Sequence, residues 1–209
     1  GYDVEANQWQ EVVFGNNRGQ LGRVATAIEE AVNQKSMFIF WGSGGSQTKE
    51  GLKESEYTYH QALGPQLEGL ALRVKKSTSE LSNYLKEVSF LETTARNTAE
   101  EVYQAVQECL SRGIVKLTLV SSPTHIARCL QEACNLSEKM PGLTLTFYAR
   151  PSETCFAHTT ASDVTIIEPP HRGDVPHIPF NKTLKNIFLF LKSPTIGRAF
   201  HEALAQLIE

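Results

Sequence analysis

Three side chains in this sequence have the chemistry of a catalytic centre. His125 could act as a general acid or base. Arg128 follows three residues later, on the same side of a helix, where a guanidinium could neutralise a phosphate. Glu92 could orient a water molecule or accept a hydrogen bond from a hydroxyl or an amine. We predict His125, Glu92 and Arg128 as catalytic candidates. The alternative for His125 is an exposed residue in the first turn of a helix.

Glu92 belongs to the segment 89–106, around which the rest of the chain is organised. This segment begins as a short apolar strand and becomes a helix, since apolar residues recur at 102, 106 and 110. Asn97 is the expected N-cap, and Glu100 three residues later has the spacing of a capping box. Polar residues therefore lie beyond a strand and at the positive end of a helix, where open α/β sheets bind ligands. The alternative is a well-capped turn with solvated side chains.

Two glycine-rich turns follow the first two predicted strands, 11–14 and 37–41. The first turn is GNNRGQLG at 15–22 and leads into a helix, and the second is GSGGS at 42–46. The second is not a P-loop, because no GK[ST] follows, and it is not a dinucleotide fingerprint, because position 47 is not glycine. Backbone N–H groups in such turns can approach a polar or anionic ligand.

The strongest predicted strand, 114–120, ends at Ser121 and Ser122. Ser122 fits an N-cap and Pro123 fits the first helical position, where a missing N–H costs nothing. His125 would then lie in the first turn of the following helix.

Strands that alternate with helices predict a parallel sheet with right-handed crossovers. We expect a three-layer Rossmann-like α/β fold in which a mostly parallel sheet is flanked by helices. The loops that follow the strands then share one crevice at the carboxyl edge of the sheet. The ligand-binding candidates in these loops and in the helix after the second turn are Gly15, Asn16, Asn17, Gly44, Gly45, Ser46, Glu56, Thr94, Asn97, Glu100, Ser121 and Ser122.

The later part of the chain completes a single predicted domain over 1–209, with a core at about 11–170 and a helical closure at 181–209. Strands are expected at 143–149 and 163–167, and amphipathic helices at 183–191 and 194–208. The proline-rich stretch 168–179 is either a flap over the crevice, with His171, Arg172 and Asp174 facing in, or a rigid connector.

The composition of the chain argues against several classes of partner. The 209 residues are 41% hydrophobic and 21% charged, with a formal net charge of −3. The sequence contains no basic run of the kind that indicates a nucleic-acid partner, and no apolar stretch has the length of a membrane span. The cysteines form no CxxC pair, so we expect neither a metal site nor a disulfide framework. Cys109, Cys129 and Cys134 fit buried positions in helices, and this usage suits a reducing cytoplasm.

The order and spacing of these motifs resemble the YdcF/SanA/ElyC-like family of bacterial α/β proteins. The resemblance covers about residues 11–170. Its matches are Gly15, Gly44-Gly45, Ser55-Glu56, Glu92 to Thr94, Asn97, Thr98, Glu100, Ser122, His125 and Arg128. The chain departs from the pattern at Asn16-Asn17 and at Glu101, where an asparagine is common. One member of the family is associated with S-adenosylmethionine, and others with cell-envelope maintenance and lipid-carrier metabolism.

The resemblance implies a small-molecule binding protein, or an enzyme of undefined reaction, with a nucleotide-like ligand such as S-adenosylmethionine. An alternative is a hydrolase or transferase acting on a phosphorylated substrate or a lipid-carrier intermediate. Serine hydrolysis is disfavoured, because the GxSxG elbow is missing. A third hypothesis is a structural or interaction domain, in which the polar groups of 89–106 are satisfied within the protein.

Overall fold

The computed structural model describes residues 13–15, 21–42, 44–45, 47–48, 50–123 and 125–153. The chain divides into two compact units, Gly1–Cys155 and Phe156–Glu209, and every described residue belongs to the first unit. The expectations for 163–167, 168–179, 183–191 and 194–208 lie outside the described residues. The described elements, in chain order, are α1 (Arg23–Gln34), β1 (Ile39–Trp41), α2 (Glu54–Leu63), α3 (Leu67–Arg73), α4 (Thr78–Val88), β2 (Ser89–Leu91), α5 (Thr98–Ser111), β3 (Lys116–Ser121), α6 (Ile126–Lys139) and β4 (Thr146–Pro151).

The α/β class predicted from the sequence is confirmed, and both described strand pairs are parallel. β1 pairs with β2, where Ile39 lies opposite Ser89, and β3 pairs with β4, where Lys116 lies opposite Thr146. Parallel neighbours require a crossover, which α2–α4 supply for the first pair and α6 for the second. Within the described residues the pairs form two separate two-stranded sheets. The three-layer Rossmann-like arrangement therefore stays a prediction.

The first hydrophobic core lies between β1 and the helices α1 to α4. Ile28 of α1 and Leu81 and Leu85 of α4 are almost completely buried in it. Trp41 is also buried, and its indole N–H donates a hydrogen bond to the Ser89 hydroxyl at 2.8 Å. The burial of large apolar side chains is the main stabilising contribution here, and the indole hydrogen bond removes the cost of burying its polar atom.

Tyr84 connects α4 to the end of α1. Its hydroxyl lies 3.0 Å from the carbonyl oxygen of Ala31 and 2.8 Å from that of Ser36. The Ala31 carbonyl also accepts from the backbone N–H of Ser36 at 2.8 Å, so the Tyr84 hydroxyl adds a second contact at the C-terminal end of α1. Burial raises the pKa of Tyr84, which keeps the hydroxyl a donor.

The second core lies beneath β3 and β4. Val106 and Cys109 of α5 pack there with Leu145, and Phe38 lies against them. The guanidinium of Arg112 covers the Phe38 ring at 4.6 Å from its centroid. A cation over an aromatic face is favourable, so Arg112 shields the edge of this core from water.

Two expectations about local structure are wrong. Val13 and Phe14, predicted within a strand at 11–14, are helical. A segment of four residues, of which three are apolar, is too short for its periodicity to separate a strand from a buried helix. Cys134 is exposed, whereas Cys109 is buried and Cys129 is intermediate. The inward face of α6 is centred on Ala133, and one residue further along a helix points about 100° away.

The described residues include no helix with the length and apolar character of a membrane span. They also include no group of three His, Cys, Asp or Glu side chains placed to hold a metal ion.

Candidate functional site

The loops that follow β1 and β2 contact each other directly. Because the two strands are parallel, both loops leave the same edge of the sheet. A Cβ atom on Gly44 would lie closer than 3.0 Å to backbone atoms of both Thr93 and Thr94. Only a residue without a side chain permits this approach. Gly44 is buried and Gly45 is half-buried, while Ser46 lies outside the described residues.

Glu92 organises the loop after β2. The residue is 4% exposed, and its carboxylate accepts hydrogen bonds from the backbone N–H of Thr94 and of Ala95, each at 2.7 Å. The Thr94 hydroxyl donates to the same carboxylate. A buried carboxylate is costly unless donors surround it, and here three donors of its own loop do so. These contacts give Glu92 a structural task, and its catalytic role stays a prediction.

Asn97 is the N-cap of α5, as the sequence predicts. Its side-chain oxygen accepts a hydrogen bond from the backbone N–H of Glu100 at 2.9 Å. The reciprocal half of the predicted capping box is wrong, because the Glu100 carboxylate turns to Arg96. It accepts from the Arg96 backbone N–H at 2.8 Å and pairs with the guanidinium at 3.0 Å. Those hydrogen bonds from Arg96 hold the pKa of Glu100 below its usual value.

The next turn of α5 faces the loops after β1 and β3. The half-buried Glu101 carries a carboxylate that would lie 3.1 Å from a Cβ atom on Gly42. Thr98 is three residues earlier and so on the same side of α5. Its hydroxyl oxygen lies 3.4 Å from Nε2 of His125, at the outer limit of a hydrogen bond. One side of α5 therefore lies beside two of the strand-end loops.

The loop after β3 differs from its prediction. Ser122 was expected to cap a helix beginning at Pro123, but α6 begins at Ile126 with His125 in the N-cap position. The N–H of His125 donates to the carbonyl of Ser122 at 2.9 Å, which closes a turn over residues 122–125. Pro123 occupies the second position of that turn, which is also a position that proline favours. Ser121 and Ser122 are both buried.

His125 and Arg128 remain neighbours despite the later helix start. Both side chains are half-buried, and the Arg128 backbone N–H donates to the carbonyl of His125 at 3.0 Å. Three residues apart at the beginning of α6, they lie on the same side of that helix.

The start of α2 is joined to the end of β2. Ser55 is fully buried, and its hydroxyl donates to the carbonyl of Glu92. Glu54 forms an ion pair with Arg23 at 2.7 Å, which links the first turns of α2 and α1. The Glu56 carboxylate accepts from the backbone N–H of Lys53 at 2.8 Å. Glu56, a predicted ligand-binding residue, therefore also caps its own helix.

Gly15 lies at the base of the first glycine turn. It has a positive φ of 107° and forms an antiparallel bridge with Leu21. The Leu21 carbonyl accepts from the N–H of Glu153 at 2.9 Å, and Ser152 beside it donates to the carbonyl of Ser121 at 2.9 Å. These contacts link Gly15 to the end of β3. Asn16 and Asn17 lie outside the described residues.

Two contacts join the segments that follow the strands. Gly44 lies against the loop that contains Thr94, and His125 lies against the start of α5 next to Asn97. Thr98 and Glu101 are not among the catalytic and ligand-binding residues predicted from the sequence. Their spacing from Asn97 could have revealed them, because residues one and four positions after an N-cap flank the same end of the helix.

Comparison of the chain with protein-family models, curated proteins and solved structures gives no match.

Proposed function

We propose that the carboxyl ends of β1, β2 and β3 form the binding site for a small nucleoside-type ligand such as S-adenosylmethionine. Membership of the YdcF/SanA/ElyC-like family and a three-layer Rossmann-like fold belong to this proposal. The observation that carries it is the convergence of three loops. Gly44 lies against Thr93 and Thr94, Gly42 lies beside Glu101, and Thr98 meets His125. In α/β proteins with parallel strands, ligands bind where such loops meet.

The neighbouring groups suit a ligand with polar parts. Backbone N–H groups of the glycine loop can hold a polar end, as glycine turns after strands do in many nucleotide sites. Thr98 and His125 add a hydroxyl and an imidazole, each of which can donate or accept. The internal hydrogen bonds of Glu92 hold the 92–95 loop in place before any ligand arrives, so little ordering is needed on binding.

A second candidate is a hydrolase or transferase acting on a phosphorylated substrate. The observation that favours it is the pairing of His125 with Arg128 at the start of α6, since an imidazole could exchange the proton while a guanidinium holds the phosphate. Glu92 is less suited to orienting a water molecule in this scheme, because its carboxylate already accepts three hydrogen bonds.

The test is a thermal-shift panel of S-adenosylmethionine, nucleotides and sugar phosphates on the full chain, followed by titration of any compound that stabilises it. His125→Ala and Arg128→Ala should then lose the ligand-induced shift while each unliganded variant melts close to the parent protein. A tenfold loss of affinity reduces the stabilisation by about 1.4 kcal/mol at high ligand concentration.

His60→Ala is the matched control, because His60 is an exposed histidine in the last turn of α2, away from the start of that helix. It should retain the full ligand-induced shift. A shift that survives intact in both His125→Ala and Arg128→Ala would show that the site lies elsewhere. Binding of phosphorylated compounds alone, with turnover, would favour the second candidate.

A further inference from the structure

We infer that the first backbone N–H groups of α5 and the hydroxyls of Thr98 and Ser121 bind an oxyanion of the ligand, a phosphate or a carboxylate. The inference rests on the proposed function and names one chemical group that the ligand at the strand ends carries. Two features of the described residues support it, the incomplete cap of α5 and a buried hydroxyl at the end of β3.

The cap of α5 satisfies only part of the start of that helix. The Asn97 side chain accepts from the N–H of Glu100, and the Asn97 carbonyl accepts from the N–H of Glu101. The N–H groups of Thr98 and Ala99 come before these and have no acceptor within the helix. Such groups lie at the positive end of the helix, where an anion is stabilised.

The hydroxyl of Ser121 is buried and lacks a hydrogen bond. Ser121 is 5% exposed at the end of β3, and within the described part of the chain no group forms a hydrogen bond with its side chain. Burying a hydroxyl without a partner is costly, and most buried polar groups are hydrogen-bonded, so this one indicates a place for a ligand. Thr98 is 7% exposed, and its hydroxyl has only the 3.4 Å contact with Nε2 of His125.

The strand geometry directs Ser121 toward the start of α5. Side chains alternate between the two faces of a strand, so Ser121 lies on the same face of β3 as Leu117. Leu117, near the beginning of β3, packs against Val106 and Cys109 in the later turns of α5. The helix therefore runs opposite to the strand, and its first turn lies over the strand end that carries Ser121.

The acidic side chains around this helix start have other contacts. Glu92 accepts three hydrogen bonds from its own loop, and Glu100 pairs with Arg96 at 3.0 Å. Glu101 has a partner of its own, and its carboxylate lies beside Gly42 in the loop after β1. These contacts leave the N–H groups of Thr98 and Ala99 to another acceptor.

The test is a titration of the full, isotope-labelled chain with inorganic phosphate, followed by NMR at constant ionic strength. The amide resonances of Thr98 and Ala99 should shift and reach saturation. The start of α4 is the control within the same sample, because Ser77 caps that helix in the same way but its first-turn side chains are exposed. The amides of Thr78 and Ser79 should not saturate.

A parallel titration with acetate separates the two possible sources of the oxyanion. Tighter binding of phosphate assigns the subsite to a phosphorylated ligand, whereas equal or tighter binding of acetate assigns it to a carboxylate. Saturation of the Thr98 and Ala99 amides by either probe supports the inference. Absence of saturation by both probes would overturn it.

Ser121→Ala separates a ligand-binding hydroxyl from a structural one. It should weaken binding of the better probe by about tenfold, since one hydrogen bond to a charged group is lost. It should not lower the free energy of unfolding, because the hydroxyl that is removed is buried without a partner. Ser137→Ala is the matched control. It removes a hydroxyl near the opposite end of α6 that donates to the Ala133 carbonyl at 2.9 Å, and it should leave the affinity unchanged.

Thr98→Val and Thr98→Ser examine the second hydroxyl. Valine keeps the shape of the side chain but removes the hydroxyl, so binding of the probe should weaken. Serine keeps the hydroxyl, so binding should be retained. Equal affinities of these two variants would show that the Thr98 hydroxyl takes no part.

The inference and the proposed function can fail separately. If Ser121→Ala keeps the full affinity for the probe, or is less stable than the parent protein, the oxyanion subsite is wrong. The proposed function still stands in that case if a compound of the thermal-shift panel stabilises the parent protein and loses its effect in His125→Ala. If neither the anions nor the panel compounds bind, both fail.

Discussion

Replacing Gly44 by alanine tests the contact that brings the first two loops together. A Cβ atom at this position would lie closer than 3.0 Å to three backbone atoms of Thr93 and Thr94. Backbone cannot rotate away as the end of a side chain can, so one of the two loops must move. Overpacking of this kind lowers the free energy of unfolding by about 1–3 kcal/mol. Because the added Cβ would meet three backbone atoms, we expect about 3 kcal/mol for Gly44→Ala. For a chain of 209 residues this lowers the melting temperature by about 6–12 °C.

Alanine substitutions at two further glycines should change the free energy of unfolding by different amounts. A Cβ atom on Gly42 would meet only the flexible end of Glu101, at 3.1 Å, so Gly42→Ala should cost about 0.5 kcal/mol or less. Gly69 lies within α3, and nothing lies within 4 Å of its added Cβ. Gly69→Ala should therefore stabilise the protein by about 0.5–1 kcal/mol, because alanine loses less backbone entropy in a helix.

The assay is urea unfolding followed by tryptophan fluorescence and circular dichroism. The midpoint should fall in Gly44→Ala and rise in Gly69→Ala, with unchanged slopes, since a change in midpoint at constant slope reports stability. A Gly44→Ala protein as stable as the parent would refute the close packing of the two loops. It would also remove the main support for a shared crevice.

Three smaller effects follow from single contacts. Asn97→Ala should lower the free energy of unfolding by about 1 kcal/mol through loss of the N-cap, whereas Asn83→Ala on the exposed side of α4 should not lower it. Because Arg96 lowers the pKa of Glu100, the ionised carboxylate stabilises the fold above its unfolded-state pKa, and this contribution disappears as the pH falls through the lower folded-state pKa. Arg96→Gln should flatten the acidic limb of a plot of unfolding free energy against pH, and an unchanged limb would contradict the pairing. Tyr84→Phe should cost about 1 kcal/mol in urea unfolding, since the hydroxyl bonded to the end of α1 is lost, and no change would mean that the hydroxyl contributes nothing there.

The parts of the fold that sequence predicts best are those set by local chemistry. The helix with apolar residues at 102 and 106 is present as α5, and Asn97 caps it. The strand predicted at 114–120 is present as Lys116–Ser121. In these segments the periodicity is long or the cap residue is specific, so few alternatives compete.

The errors arise where two local solutions have similar energies. Pro123 suits both a helix start and a turn. The Ser122 carbonyl accepts from the N–H of His125 and from that of Ile126, each at 2.9 Å, so a turn leads directly into α6. The Glu100 carboxylate could have accepted a hydrogen bond from the backbone N–H of Asn97. It accepts from the backbone N–H of Arg96 instead and pairs with the Arg96 guanidinium. The position of Glu101 beside Gly42 depends on packing between segments far apart in sequence, which no local pattern encodes.

The two parallel strand pairs differ in how much chain separates their partners, and this has a kinetic consequence. Lys116 pairs with Thr146 across a single helix, whereas Ile39 pairs with Ser89 across three helices. Closing a longer loop costs more chain entropy before any contact repays it, so the β3–α6–β4 unit should acquire protected amides first during refolding. The β1–β2 pair should form later, and the contact between Gly44 and Thr93 should form with it. In a pulse-labelling experiment the amides of the β1–β2 pair should therefore become protected last, after most of the secondary structure has formed.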